Sequence, residues 1–189
     1  NAEPAPPSGE AYGGLITCEI IGDGNYGGET GDGMNDSGSK YLLILSPVVG
    51  GGPDGYTGTA IQFGGSQYPN ANLGYLRSYG GIHESLYGQD GSEYLALSWV
   101  NSADGPNTLA LGGYTDWYMP AANELNCIWE GRDSWPAGYE IINTNSIWSC
   151  SESTKGSHNL YAIFKDGSED FRKRNYTGNV RAVRRQKIA

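Results

Sequence analysis

Apolar residues fall along this chain in short runs bounded by Gly and Pro. "GGLITCEIIG" (13–22) is one such run and predicts a strand. "KYLLILSP" (40–47) predicts a second apolar strand, stopped by Pro47. Between them, residues 22–39 form a Gly/Asp loop. Residues 48–65 read as loop with room for one short strand, and 66–88 as irregular and dotted with aromatics. The spacing then changes. In "DGSEYLALSWVNSADG" (90–105), Asp90 or Ser92 can cap a helix whose stripe is Tyr94, Leu95 and Trp99. In "PAANELNCIWEG" (120–131), Pro120 precedes a second helix and Gly131 ends it. Leu125, Ile128 and Trp129 share a face at i, i+3, i+4, which core packing accounts for.

The end of the chain returns to strands. "SIWSCS" (146–151), "NLYAIFKDGSEDFRKRN" (159–175) and "GNVRAVRR" (178–185) all read as β. Asp166-Gly167 is the strongest hairpin signal, a two-residue turn between alternating runs. Alternation places Leu160, Ala162 and Phe164 on one face and Tyr161, Ile163 and Lys165 on the other. There is no internal repeat and no heptad pattern.

Composition supports short strands and tight turns over long helices: 30 glycines and 14 tyrosines in 189 residues. That length builds one good-sized domain with a core. Residues 1–12, "NAEPAPPSGEAY", read as a Pro/Gly-rich linker, with a single domain over 13–189. The opening lacks the basic and apolar regions of a signal peptide, and the chain reads as a piece of something longer. No run of 18 apolar residues occurs, so no membrane insertion is expected.

Charge changes the picture at the C-terminal end. Residues 1–154 carry −15 and residues 155–189 carry +6, which together give the net −9. The basic residues stand on short strands beside acids, and the acidic remainder repels phosphates, so nucleic acid is not an expected partner. Solvated outer faces that deter edge pairing account for most of them. Cys18, inside an apolar run, reads as a small buried hydrophobe. Cys127 and Cys150 could pair. An odd count with no zinc spacing points to folding in a reducing compartment.

Candidate chemistries are weak. "GDGNYG" matches G-x-G-x-x-G at Gly22, Gly24 and Gly27, but "GETGDGMNDSGS" cannot open the helix that a pyrophosphate site requires. Asp23, Glu29, Asp32, Asn35 and Asp36 supply oxygens to the 22–39 loop without EF-hand spacing, so whether that loop takes a cation stays open. His83 and His158 are the only histidines, and no G-x-S-x-G or H-E-x-x-H surrounds a nucleophile. The "HES" at 83–85 and a Cys150–His158 pair carry nothing further. No enzyme activity, cofactor or metal is expected.

Three stretches together resemble one known family. "GGYTDWYMPAANELNCIW" (112–129), "SIWSCSES" (146–153) and "YAIFKDG…GNVRAVRR" (161–185) are similar to the Lcl-type C-terminal domain, found in phage tail proteins and at the ends of bacterial collagen-like adhesins. Asp116, Trp117, Pro120, Glu124 and Leu125 match its first motif. Trp148, Ser149, Ser151 and Glu152 match the second, with Ile147 and Cys150 where Tyr and Ser are usual. Phe164 and Gly167 match its hairpin, and Val180, Arg181, Val183 and Arg184 its last strand. "PPSGEAYGGLITCEIIGDG" and "KYLLILSP" resemble the opening of the phage branch.

The resemblance implies an α+β, C-type-lectin-like fold: a small twisted antiparallel sheet, two helices and long Gly-rich loops. It casts Asp116, Trp117, Pro120, Glu124, Trp148, Phe164, Gly167, Arg181 and Arg184 as scaffold, with Asp116, Glu124, Arg181 and Arg184 pairing to fix register. It places receptor binding on Glu152, Lys155, His158, Asn159, Tyr161, Lys165, Arg172, Lys173, Arg174, Asn175 and Tyr176. Such a mixture of amides, hydroxyls, charges and rings suits a glycan or a protein epitope. The E-P-N, Q-P-D and W-N-D signatures of calcium-dependent sugar binding are absent.

The function so implied is that of a phage tail or tail-fibre tip binding a host-cell surface receptor. Such a virion protein is assembled in the host cytoplasm, beside other tail subunits, as a homo-oligomer and most often a trimer. A structural or decoration protein of the virion and a bacterial surface adhesin are the alternatives. A glycan hydrolase would need paired carboxylates in a cleft.

Overall fold

The computed structural model describes residues 9–21, 38–48, 61–62, 99–120, 122–139, 147–152, 160–163, 169–172 and 177–188. Among these, nine strands and one α-helix form. The strands are β1 Gly9–Ala11, β2 Gly14–Ile21, β3 Lys40–Leu45, β4 Ile61–Gln62, β5 Ile147–Glu152, β6 Leu160–Ile163, β7 Glu169–Arg172, β8 Thr177–Gly178 and β9 Val183–Lys187. The helix, α1, spans Ala122–Glu130. The arrangement is α+β. Three antiparallel sheets run in the orders β1-β2-β3-β9, β4-β8 and β5-β6-β7.

Strand β3 lies inside the first sheet and is buried on both faces, which is why its apolar run is continuous. Leu43 and Leu45 pack with Leu15, Tyr118, Ile128, Tyr139 and Val183 on the side that α1 covers. Leu42 and Ile44 pack with Val100, Leu111, Trp117 and Ala182 on the other. Trp117 and Tyr118 therefore send adjacent side chains to opposite layers. Their segment also covers the outer edge of β9, through Tyr118 N–H to Val183 O at 2.8 Å and Val183 N–H to Tyr118 O at 2.9 Å.

Strand β2 carries a bulge. Leu15 pairs with Leu45 and Ile16 with Ile44, but the next partner of Leu43 is Cys18. Thr17 is the extra residue, and its Oγ1 donates to Leu43 O at 2.9 Å. Strict alternation would put Cys18 on the face of Ile16. The bulge turns Cys18 and Ile20 to the α1 side instead. There Cys18 is joined to Cys127 of α1 in a disulfide, with Cα atoms 6.5 Å apart. Cys18 is thus not an isolated buried hydrophobe, and the partner of Cys127 is Cys18, not Cys150. Composition could not show this, because a bulge decides which way Cys18 faces.

Three further expectations change. Residues 9–11, read as the end of a linker, form β1. Tyr12 and Gly13, at φ 57° and 85°, make the two-residue turn that folds β1 back onto β2. The helix expected over 90–105 is, in its described part, one 3-10 turn at Trp99–Asn101 followed by turns. A β-carbon on Gly105 would lie 2.2 Å from Trp99 O, so the chain doubles back there in place of a rising helix. The strand expected over 178–185 is split into β8 and β9 by residues 179–182, which make only isolated bridges. Helix α1 agrees with expectation: Leu125 and Ile128 are buried, and a 3-10 turn at Arg132–Ser134 follows Gly131.

Candidate functional site

Strand β5 fixes the sheet that carries the candidate ribbon. Trp148 is fully buried, and its N–H donates to Asn179 O at 2.9 Å. Ile147 forms a parallel bridge to Asn179, Ser149 is buried beside Trp148, and α1 lies against both β5 and β6. The large indole forfeits its burial if β5 moves, so the sheet is tied to the core at this point.

Register then orders the ribbon in rows. Ile147, Ile163 and Glu169 are partners across the three strands, as are Trp148, Ala162 and Asp170. At the other end, Glu152, Leu160 and Arg172 form a row, and Tyr161 stands opposite Phe171 in the next. Three expected binding residues, Glu152, Tyr161 and Arg172, are therefore neighbours in the backbone at one end of the sheet. Segments 153–159 and 173–176 both leave from that row. They hold Lys155, His158, Asn159, Lys173, Arg174, Asn175 and Tyr176, which lie outside the described residues.

Lys165 belongs to the 164–168 connection and lies, with Phe164 and Gly167, outside the described residues; in sequence that connection follows the Ile163–Glu169 row. Three residue steps of strand, about 10 Å, separate the two ends. The β6–β7 pairing is centred on Asp166, whereas a two-residue Asp166-Gly167 turn would pair Lys165 with Ser168 and shift every partner by one. The hairpin is present, with a register that differs from the one expected.

Period two in β9 sends its arginines to opposite layers. Arg184 meets Asp116 with two bonds, Nε to Oδ1 at 2.7 Å and Nη2 to Oδ2 at 3.1 Å. It also donates to Tyr12 O at 3.1 Å and lies 3.8 Å above the Tyr114 ring. This is the bidentate, stacked geometry that a guanidinium suits and an ammonium does not. Glu124, however, pairs with Arg185, Nε to Oε2 at 3.3 Å, and the Tyr118 hydroxyl bridges the two. Arg181 is buried and donates to Ser46 O at 2.6 Å from Nη2 and to Ser46 Oγ at 3.2 Å from Nε.

Burial and the neighbouring Glu124 carboxylate hold the Tyr118 hydroxyl well above the usual tyrosine range. Burial pulls the Arg185 guanidinium down. Glu124 and Tyr118 more than offset this, so its pKa is raised and it stays charged. Sequence reading missed Arg185, Tyr118 and Ser46. The one available signal was the doubled arginine at 184–185, which period two must divide between the layers.

Among the described residues, no group of three or more His, Cys, Asp or Glu side chains is placed to hold a metal ion. The acids of the 22–39 loop, His83 and His158 lie outside the described residues. No described helix is long and apolar enough to cross a membrane. No protein-family model matches the chain, and no curated protein or solved structure matches it.

Proposed function

We propose that this chain is a non-enzymatic recognition domain of C-type-lectin-like, Lcl-type fold that binds a receptor, glycan or protein, on a bacterial cell surface. It would work at the tip of a phage tail or tail fibre, in the virion, next to other tail subunits and as a homo-oligomer. The observation that carries the reading is a division of labour. Asp116, Trp117, Pro120, Glu124, Trp148, Arg181 and Arg184, the residues that resemble a family scaffold, are tied together in the core or, for Asp116, to Arg184 at its surface. The ribbon β6–β7 hangs from that core through β5, with Glu152, Tyr161 and Arg172 neighbours at one end.

The chemistry of that end suits recognition. Tyr and His rings stack on sugar faces or fill epitope pockets, and Asn, Arg and Lys bond hydroxyls and carbonyls. The test is adsorption of the labelled domain to a panel of whole bacterial cells and to a glycan array. Saturable binding to some cells and not others is expected. A domain that adsorbs to none is a structural part of the virion.

A second reading is favoured by one observation. The Cys18–Cys127 bond removes the argument from free thiols for cytoplasmic assembly, and a bacterial surface adhesin would hold such a bond without difficulty.

A further inference from the structure

We propose that Cys18 and Cys127 are a redox modification site: a clip that closes on an already folded domain and locks α1 onto β2. Three observations carry this. First, the two cysteines meet only because β2 and α1 are in place. The Thr17 bulge, pinned by its bond to Leu43 O, must form before Cys18 faces the helix. The bond therefore records the fold. Second, α1 is docked by other means. Ile128 enters the core cluster beneath it, Leu125 is buried, and Glu124 is joined to Arg185 and Tyr118. None of these contacts needs the sulfurs. Third, both cysteines are half-buried, not sealed, so a small disulfide can reach them.

The chemistry is thiol–disulfide exchange with a small-molecule disulfide such as oxidised glutathione. One protein thiolate attacks a sulfur of the oxidant, whose S–S bond breaks to release one glutathione thiolate. The second protein thiolate attacks the protein sulfur of that mixed disulfide and releases the other glutathione. The two protein thiols lose two electrons and two protons in total, and the oxidant gains the two electrons. The closed loop spans 109 residues of sequence separation, so the bond removes much freedom from the unfolded chain. Such a clip lets one chain fold in a reducing compartment and gain stability on reaching an oxidising one.

The experiment uses the full chain, prepared fully reduced and then treated with oxidised glutathione. The reduced protein is expected to show the near-ultraviolet circular dichroism of the oxidised one. Oxidation should yield a Cys18–Cys127 peptide by mass spectrometry and raise Tm by about 10–20 °C. Cys150→Ser should behave identically. A reduced chain without native near-ultraviolet signal overturns the proposal, since the bond would then be a condition of folding. So does a Tm that oxidation leaves unchanged, or cross-linking that engages Cys150 instead.

Discussion

Arg185 is charged, buried and within reach of one carboxylate and one phenol, and its Nη1 has no hydrogen-bond partner among the described residues. Removing one member of such a pair strands the other charge in the core, which costs about 3–5 kcal/mol. Arg185→Met is therefore expected to lower Tm sharply by calorimetry, and Glu124→Leu added to it should recover a large part of the loss. If the double variant were no more stable than the single one, the coupling of Glu124 to Arg185 would be wrong. Asp116, Glu124, Arg181 and Arg184 were legible as a set because all four stand in matched motifs. Which residue meets which was not legible, because contacts across 61, 68 and 135 residues of sequence have no local signature.

Alkaline pH tests the buried phenols. Burial first, then the bond and charge of Glu10, push the Tyr139 hydroxyl up to about 12, with Arg181 acting the other way. Tyr118 is also raised. In the unfolded chain both release their protons near the ordinary value of about 10. The unfolded state then binds fewer protons than the folded one, so the contribution of these two phenols to stability is constant below about pH 10 and falls as pH rises from about 10 to 12. Chemical denaturation at stepped pH should show that fall, and Tyr139→Phe should make it shallower.

Elements followed sequence closely where burial is two-sided or the period is clean. Strands β2 and β3 and helix α1 lie where the apolar spacing put them. What escaped was decided by close backbone approach and by single-residue insertions. Period-two reading cannot see the Thr17 bulge, and Gly/Pro-rich composition hid β1. Gly14 shows how tight the approach is: a β-carbon there would lie 2.2 Å from Leu45 O in the neighbouring strand. Gly14→Ala must push β2 away from β3 and is expected to cost about 1–3 kcal/mol in denaturant melts. A neutral result would mean that β2 is not held at that distance.

At the scale of the molecule, the α+β arrangement was legible, and of the candidate site only the strands that carry Glu152, Tyr161 and Arg172. Strand assignment placed the C-terminal ribbon, but register decides which residues it gathers. The register sets Glu152, Leu160 and Arg172 in one row and Ile147, Ile163 and Glu169 in another, a distinction that alternation alone could not draw. The four-stranded sheet brings the N-terminal hairpin to the C-terminal strand, with everything from Ser46 to Ala182 returning between them. The Cys18–Cys127 clip ties that sheet to α1, and α1 in turn lies against β5. The proposed function puts recognition on the ribbon and stability on this core, so substitutions can test them separately.

The most direct measurement compares cell adsorption and Tm for two variants. One carries Tyr161→Ala, Arg172→Ala, Arg174→Ala and Tyr176→Ala, around the Glu152–Leu160–Arg172 row; the other carries Lys165→Ala at the opposite end. The account predicts lost adsorption with unchanged Tm for the first and full adsorption for the second. Full adsorption by the first variant, or a collapse of its Tm, would contradict it.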